Sequence, residues 1–387
     1  MIKRETEKLL KRLSSQYPIV TLTGPRQSGK TTLITKVFPA KKYVNLEEID
    51  IREFAISDPR GFLKQYGDNL IVDEIQRAPD LLSYIQVIVD KNKKSSFVLT
   101  GSQQFEMMKG ISQSLAGRTA FIKLLPFSIK EIEKAYNAKN ADLLMLKGFY
   151  PRIYDKKLKP YEFYAGYVST YLERDVRQLI AIKKLSLFQK FLKLCAGRIG
   201  NILNLQSIAN DTGVSHTTIR EWVSILEAGY IVYLLRPWHE NLSKRLVKSP
   251  KLYFYDVGLA AYLLGIENEN QMCRDPLRGG LFENMVVSEF LKHRFNSGKD
   301  NNLYFYRDSK GNEVDLIYQM GREILPIEIK SGATINKDYF KNIKKFKTVR
   351  KENIFKPIII YGGDEIQNRS EVGVWPFYLI KNILSKI

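Results

Sequence analysis

Residues 24–32 read GPRQSGKTT and satisfy every fixed position of the pattern G-x-x-x-x-G-K-[ST]. Gly24 and Gly29 let the backbone turn its N–H groups toward a phosphate chain, and a helix opening from Thr31 adds the positive end of its dipole. Lys30 is placed for β- and γ-phosphates and Thr31 for a Mg2+ ion. Pro25, Arg26, Gln27, Ser28 and Thr32 complete the cradle. Farther on, NLIVDE at 69–74 is an apolar run that ends on two carboxylates. There Asp73 suits the Mg2+ shell, and Glu74 suits the polarising of an attacking water. The run SFVLTGSQ at 96–103 ends in small polar residues. Ser102, with Gln103 beside it, is the choice for sensing a γ-phosphate. In LAGR at 115–118, Arg118 is able to approach a triphosphate from its own chain or from a neighbouring subunit. A surface ion pair is its alternative use.

Short buried strands are expected at 19–23, 42–46, 69–73, 97–101 and 120–124, alternating with helical stretches. That alternation is the pattern of a doubly wound parallel sheet, whose strands end where a nucleotide binds.

A second constellation lies near the other end. Glu283 opens a helical stretch, Asp315 sits in a strand at 313–317, and Glu328-Ile329-Lys330 ends the strand that follows. Alternation along a strand puts Glu328 and Lys330 on one face. Carboxylates from adjacent strands, Asp315 and Glu328 with Glu283 from the helix, are oxygen ligands for Mg2+ or Mn2+. Lys330 would then orient a water or stabilise charge developing on a phosphate. This set resembles the PD-(D/E)xK nuclease fold, whose members also serve as binding modules.

Between the two, LQSIANDTGVSHTTIREW at 205–222 has the spacing of a helix-turn-helix. Ala209 permits close helix approach, Gly213 makes the turn, and Ile219, Trp222, Val223 and Leu226 face inward. Thr217, Thr218, Arg220 and Glu221 stay outside, and residues 230–235 read as the first strand of a wing. DNA contact would use that face, with Arg236, Lys244, Arg245, Lys248 and Lys251 on phosphates. Glu221 beside the lone base-reading Arg220 favours packing or protein contact instead.

GPRQSGKTT, DEIQRAP at 73–79, LTGS, LAGR and LPFS at 125–128 together resemble a family of bacterial and archaeal AAA-type ATPases, in which a P-loop domain precedes a C-terminal domain of uncharacterised function. The likeness continues through GFYP at 148–151, where the family more often has two glycines, and YLERDV at 171–176. It implies ATP binding and hydrolysis and leaves the substrate open.

Composition narrows the remaining classes. The 387 residues carry 61 Lys+Arg against 41 Asp+Glu, a net charge of +20 that suggests an anionic partner, with an ordinary basic surface as the alternative. The excess is spread along the chain, with local maxima at 174–198, 236–251 and 337–356. Two cysteines and three scattered histidines exclude a disulfide framework and argue against zinc hydrolase chemistry. No signal peptide is visible, and no run approaches the roughly 18 apolar residues of a membrane span, so a cytoplasmic location is expected.

The reading is an α/β chain: a P-loop NTPase parallel sheet at 1–130, a helical and winged-helix segment at 131–260, and an α/β nuclease-like domain at 261–387. Its function is expected to be a Mg2+-dependent ATPase that couples nucleotide state to a nucleic-acid-directed module with nuclease activity. The alternative is a nucleotide-dependent switch whose C-terminal domain binds protein or DNA without cutting. ATP is the expected cofactor, with a second Mg2+ or Mn2+ at the C-terminal site, and an Arg118 acting in trans would require a homo-oligomer.

Overall fold

The computed structural model describes residues 2–102, 115–172, 185–238, 249–350 and 353–386. Gln103, residues 173–176 of the YLERDV segment, and Lys244, Arg245 and Lys248 lie outside the described residues. By packing the chain forms two units. The first comprises residues 1–127 with 228–230 and 294–300, and the second 128–227, 231–293 and 301–387.

In the first unit the strands are β1 (Ile19–Thr23), β2 (Lys42–Asn45), β3 (Asn69–Asp73), β4 (Ser96–Gly101) and β5 (Thr119–Lys123). They form one parallel sheet in the order β2-β3-β4-β1-β5. The expected strands are all present, to within a residue or two. Their continuous apolar runs follow from burial on both faces. Ile19, Leu70, Val72, Phe97 and Leu99 face one helical layer with Phe62, Leu81 and Ile85. Val20, Leu22, Ile71, Val98 and Ile122 face the other, with Leu9, Leu10, Leu33 and Ile34. Successive residues of each strand thus divide between two cores.

The second unit has a mixed sheet. Its strands are β6 (Val232–Pro237), β7 (Lys251–Phe254), β8 (Leu303–Arg307), β9 (Glu313–Met320), β10 (Glu323–Lys330), β11 (Ile358–Tyr361), β12 (Gln367–Asn368) and β13 (Gly373–Pro376). Their order is β12-β13-β11-β10-β9-β8-β6-β7. The helices Leu205–Thr212 and His216–Ala228 flank Gly213, whose φ of 78° makes the turn. Ile219, Trp222, Val223 and Leu226 are buried, with Trp222 edge-on to Phe188 and tilted on Phe191 at 5.3 Å. Thr217, Arg220 and Glu221 are exposed and Thr218 is half-buried.

Two expectations change here. The strand expected as a wing is β6, which pairs with β7 but also, through Arg236 and Pro237, with β8. The boundary expected near residue 260 is likewise not a break in packing, because β6 and β7 share a sheet with β8–β13. Among the described residues no helix is long and apolar enough to cross a membrane.

Candidate functional site

The parallel sheet brings the first set of residues together at the carboxyl ends of its strands. β1 ends at Thr23, and the chain turns back through Gly24 (φ 151°), Gln27 (φ 60°) and Gly29 (φ 89°) into the helix Lys30–Val37. A Cβ on Gly24 would stand 2.1 Å from the Leu124 carbonyl oxygen, so only glycine fits. Lys30 is buried, and its Nζ donates to the carbonyls of Gly24 (3.0 Å) and Pro25 (2.9 Å). Burial lowers its pKa, against the opposing pull of Glu74 and Asp73. Arg26 pairs with Glu47 at 3.4 Å, and Thr31 and Thr32 are exposed at the first turn.

Because β4 lies between β1 and β3, the end of β4 stands between the loop and the two acids. The Thr31 hydroxyl donates to Asp73 Oδ2 at 2.7 Å, and Tyr43 donates to the same oxygen at 2.8 Å. Thr100 donates to the other oxygen, Asp73 Oδ1. Ser102 donates to Glu74 Oε2 at 3.1 Å, and Gln76 donates to it at 2.5 Å. Glu74 holds a left-handed backbone, φ 56°, where the strand turns into Ile75–Arg77. Thus Lys30, Thr31, Asp73, Glu74 and Ser102 converge.

Arg118 does not join them. It precedes β5, whose Thr119 pairs with Ile19 at the start of β1, so it lies at the opposite end of the sheet from the loop that follows Thr23. There its guanidinium makes a two-pronged pair with Asp90 at 2.7 and 2.9 Å. Approach to a triphosphate from its own chain is therefore corrected: five residues of strand, about 16 Å, intervene.

Several participants were not anticipated. Arg4 donates to the carbonyls of Ser28 (2.7 Å) and Leu125 (2.6 Å), bracing the loop from a distant part of the chain. Tyr43 and Thr100 orient Asp73, and Tyr230 shares a 2.8 Å hydrogen bond with the Thr23 hydroxyl. Thr100 had a signal, a hydroxyl one residue from the strand end; Arg4 and Tyr230 had none.

In the second unit, β9 and β10 pair antiparallel, with Leu316 opposite Ile327. One step further puts Asp315 opposite Glu328. Lys330 bridges them, with Nζ 3.1 Å from Asp315 Oδ2 and 2.8 Å from Glu328 Oε1. The Ile329 N–H also donates to Asp315 Oδ2 at 2.7 Å, and Asn342 to Glu328 Oε1 at 3.2 Å. Glu328 is only 1% exposed, and its Oε2 is buried without a hydrogen-bond partner. Burial, and then the Asp315 carboxylate, push Glu328 up to about 8. Burial opposes the Lys330 ammonium, but Asp315 and Glu328 outweigh it and raise its pKa.

Glu283 was expected to complete a three-carboxylate metal set. It accepts instead from Lys251 Nζ (3.0 Å) and the Tyr253 hydroxyl (2.5 Å). Among the described residues no group of three or more His, Cys, Asp or Glu side chains is arranged to hold a metal ion. Lys251, expected on a phosphate, is 2% exposed and committed to carboxylates, so that expectation is also corrected.

Residues 16–133 match the family described as AAA domain, while 138–270 and 278–380 match two domains of unknown function, DUF8612 and DUF4143. The uncharacterized protein Rv2008c of Mycobacterium tuberculosis is 30% identical over 338 residues, spanning 86% of this chain and 74% of the relative. The chain belongs to that family. It is an AAA-type P-loop ATPase with a C-terminal domain of unknown function. The uncharacterized protein MJ1544 of Methanocaldococcus jannaschii is 24% identical over 381 residues, spanning 89% of this chain and 82% of the relative. Among solved structures, the Walker-type ATPase PABY2304 of Pyrococcus abyssi is similar at 14% identity and a TM-score of 0.48, covering 68% of this chain and 96% of that one.

Proposed function

We propose that the chain is a Mg2+-dependent ATPase whose nucleotide state governs a nucleic-acid-directed C-terminal unit that cleaves phosphodiesters at Asp315, Glu328 and Lys330. The observation that carries the first half is the Thr31–Asp73 hydrogen bond beside a buried Lys30 folded onto the loop carbonyls. The donor set fits nucleotide and Mg2+. Ser28 Oγ and Gln27 Oε1 are buried without partners inside the loop, and Lys30 donates to two loop carbonyls. A triphosphate would take over Lys30 and the loop N–H groups of 24–32. Thr31 and Asp73, steadied by Thr100 and Tyr43, would hold Mg2+, which supplies charge neutralisation on the phosphates.

Glu74 is the general base. Ser102 and Gln76 fix its carboxylate so that one oxygen can face an attacking water, and Ser102 senses the γ-phosphate through that same hydrogen bond. Arg118 is proposed to act in trans, on the nucleotide of a neighbouring copy; sedimentation with a non-hydrolysable ATP analogue tests this, and a monomer under all conditions refutes it. Lys30→Ala should abolish turnover. An unchanged rate would sink the ATPase assignment.

The second half rests on the buried, unpartnered Glu328 Oε2 beside Asp315. That oxygen, with a carboxylate oxygen of Asp315, would suit Mg2+ or Mn2+, whose role would be to polarise a phosphodiester. Lys330, within reach of both acids, would steady a water or the developing charge. A metal-supplemented assay on DNA and RNA, comparing the chain with Asp315→Ala and Lys330→Ala, tests it. One observation favours the second reading, a switch that binds without cutting: Glu283 is withdrawn into a pair with Lys251. Under that reading both variants keep full function.

A further inference from the structure

At the carboxyl end of the parallel sheet three separate turns bring charged side chains to one point. Arg26 stands two residues into the loop that begins at Gly24, and Glu47 two residues beyond the end of β2. Arg77 closes the turn Ile75–Arg77 that follows Glu74. The register that sets Asn45 opposite Asp73 places Glu47 beside the two acids, and the Leu46 N–H donates to the Asp73 carbonyl at 3.1 Å. The Glu47 N–H donates to Asn45 Oδ1 at 3.0 Å and fixes that turn.

Both arginines meet the same oxygen. Arg26 Nη1 lies 3.4 Å from Glu47 Oε1, and Arg77 Nη2 lies 3.5 Å from it. These contacts are long for charge-assisted pairs, which close to about 2.7–2.9 Å. Glu47 is 42% exposed, so water screens its hold further. Arg77 is incompletely satisfied, because its Nε is buried without a hydrogen-bond partner. A guanidinium presents two N–H groups as a fork matched to both oxygens of one carboxylate. Arg77 therefore has donor capacity for more of Glu47 than it now receives.

The pair also stands close to the phosphate-binding lysine. Burial chiefly lowers the Lys30 pKa, Glu74 and Asp73 oppose it, and beyond these the Arg26 charge lowers it and the Glu47 charge raises it. Arg26 thus shares the electrostatic neighbourhood of the ammonium that suits β- and γ-phosphates.

We propose that Arg26 contacts the γ-phosphate from its own chain, that Glu47 competes with the phosphate for this guanidinium, and that Arg77 takes over Glu47 when Arg26 leaves it. Arg26 is then the residue that touches the substrate, while Glu47 and Arg77 are positioning residues that act through it. Sharing one oxygen lowers the cost of the exchange. Glu47 keeps a cationic partner throughout, and the buried Arg77 Nε gains an acceptor. The preference this creates is for a nucleoside triphosphate over a diphosphate, because only the triphosphate offers the terminal group. The inference rests on the nucleotide reading of the loop proposed above and adds to it the residue that recognises the last phosphate.

The test titrates the full chain with fluorescent ADP and with a fluorescent non-hydrolysable ATP analogue, in Mg2+, so that affinity is read apart from turnover. Arg26→Ala should weaken the triphosphate analogue about tenfold or more and change ADP by less than about threefold. Glu47→Gln removes the competitor and should tighten the analogue about two- to threefold. Arg77→Ala leaves Glu47 to Arg26 alone and should weaken the analogue about threefold. Adding Glu47→Gln to Arg77→Ala should restore the native affinity, which a merely structural loss would not do. Equal weakening of both nucleotides by Arg26→Ala overturns the inference, and so does weakening of the analogue by Glu47→Gln or a double variant that does not recover. Binding of neither nucleotide by the native chain refutes the nucleotide reading itself, whereas an unchanged preference in Arg26→Ala refutes only this inference.

Discussion

Glu328→Gln should stabilise the metal-free chain. The carboxyl lies 1% exposed with one oxygen unpartnered, and its pKa stands at about 8 against 4.5 for a free glutamate. At about 1.4 kcal/mol per unit that shift sets a ceiling of about 4–5 kcal/mol on the cost of ionising the buried group. Relaxation around the site and the weaker hold of an amide on Lys330 reduce the gain to about 1–2 kcal/mol, or about 3–6 °C in thermal midpoint for a unit of this size. The sign of the pH dependence follows from the direction of the shift. Between about pH 5 and pH 8 the folded state retains a proton that the unfolded state has lost, so this contribution is fully present below about pH 4.5 and disappears as pH rises through about 8. The assay is a set of melts across that range, in chelator, for both proteins. The native chain should lose stability on the way up while the variant does not, and the two should converge near pH 5. A variant that is less stable at pH 8, or a difference that ignores pH, refutes the reasoning.

Other perturbations test other parts of the structure. Gly24→Ala forces a Cβ to 2.1 Å from the Leu124 carbonyl; a loss of about 1–3 kcal/mol and greatly weakened nucleotide binding are expected, read by denaturation and by titration with a fluorescent nucleotide. Lys251→Met leaves Glu283 and Glu313 half-buried beside each other without their shared ammonium. It should destabilise the chain by about 3–5 kcal/mol, and a melt unchanged from the native chain would contradict the ion pairing. Trp222→Ala removes the side chain packed on Phe188 and Phe191 and should cost about 3–5 kcal/mol by denaturation, without altering ATP turnover.

The parallel sheet was legible in the sequence because its strands are buried on both faces, which writes each as an unbroken apolar run with turn residues at its ends. The loop at 24–32 was legible for a related reason: every position has a local chemical requirement. Asp73 and Glu74 carried a signal of the same kind. The hydroxyls that orient Asp73 did not, since Thr100 and Tyr43 reach it only through the strand order β2-β3-β4-β1. For Arg118, strand polarity alone excludes the approach from its own chain, and the surface ion pair given as its alternative use is present with Asp90. A residue just before a parallel strand lies at the end away from the nucleotide, whatever its charge.

The nuclease-like set shows where such reading stops. Spacing in β9 and β10 brings Asp315, Glu328 and Lys330 together, because a two-residue repeat and an antiparallel hairpin are local geometry. Glu283 had the right residue type on the right element, yet its partner is Lys251, in a segment whose lysines read as a phosphate-binding run. A basic residue in a basic stretch carries no mark that separates a buried counter-ion from a surface contact. Burial decides it, and burial here depends on β7, the helix Arg278–Asn296 and β9 meeting. One part of the +20 charge is thereby removed from the surface and assigned to the interior. For Lys251 the anionic partner that the composition suggested is the protein's own pair of carboxylates, Glu283 and Glu313, whereas Arg220 and Arg236 stay exposed.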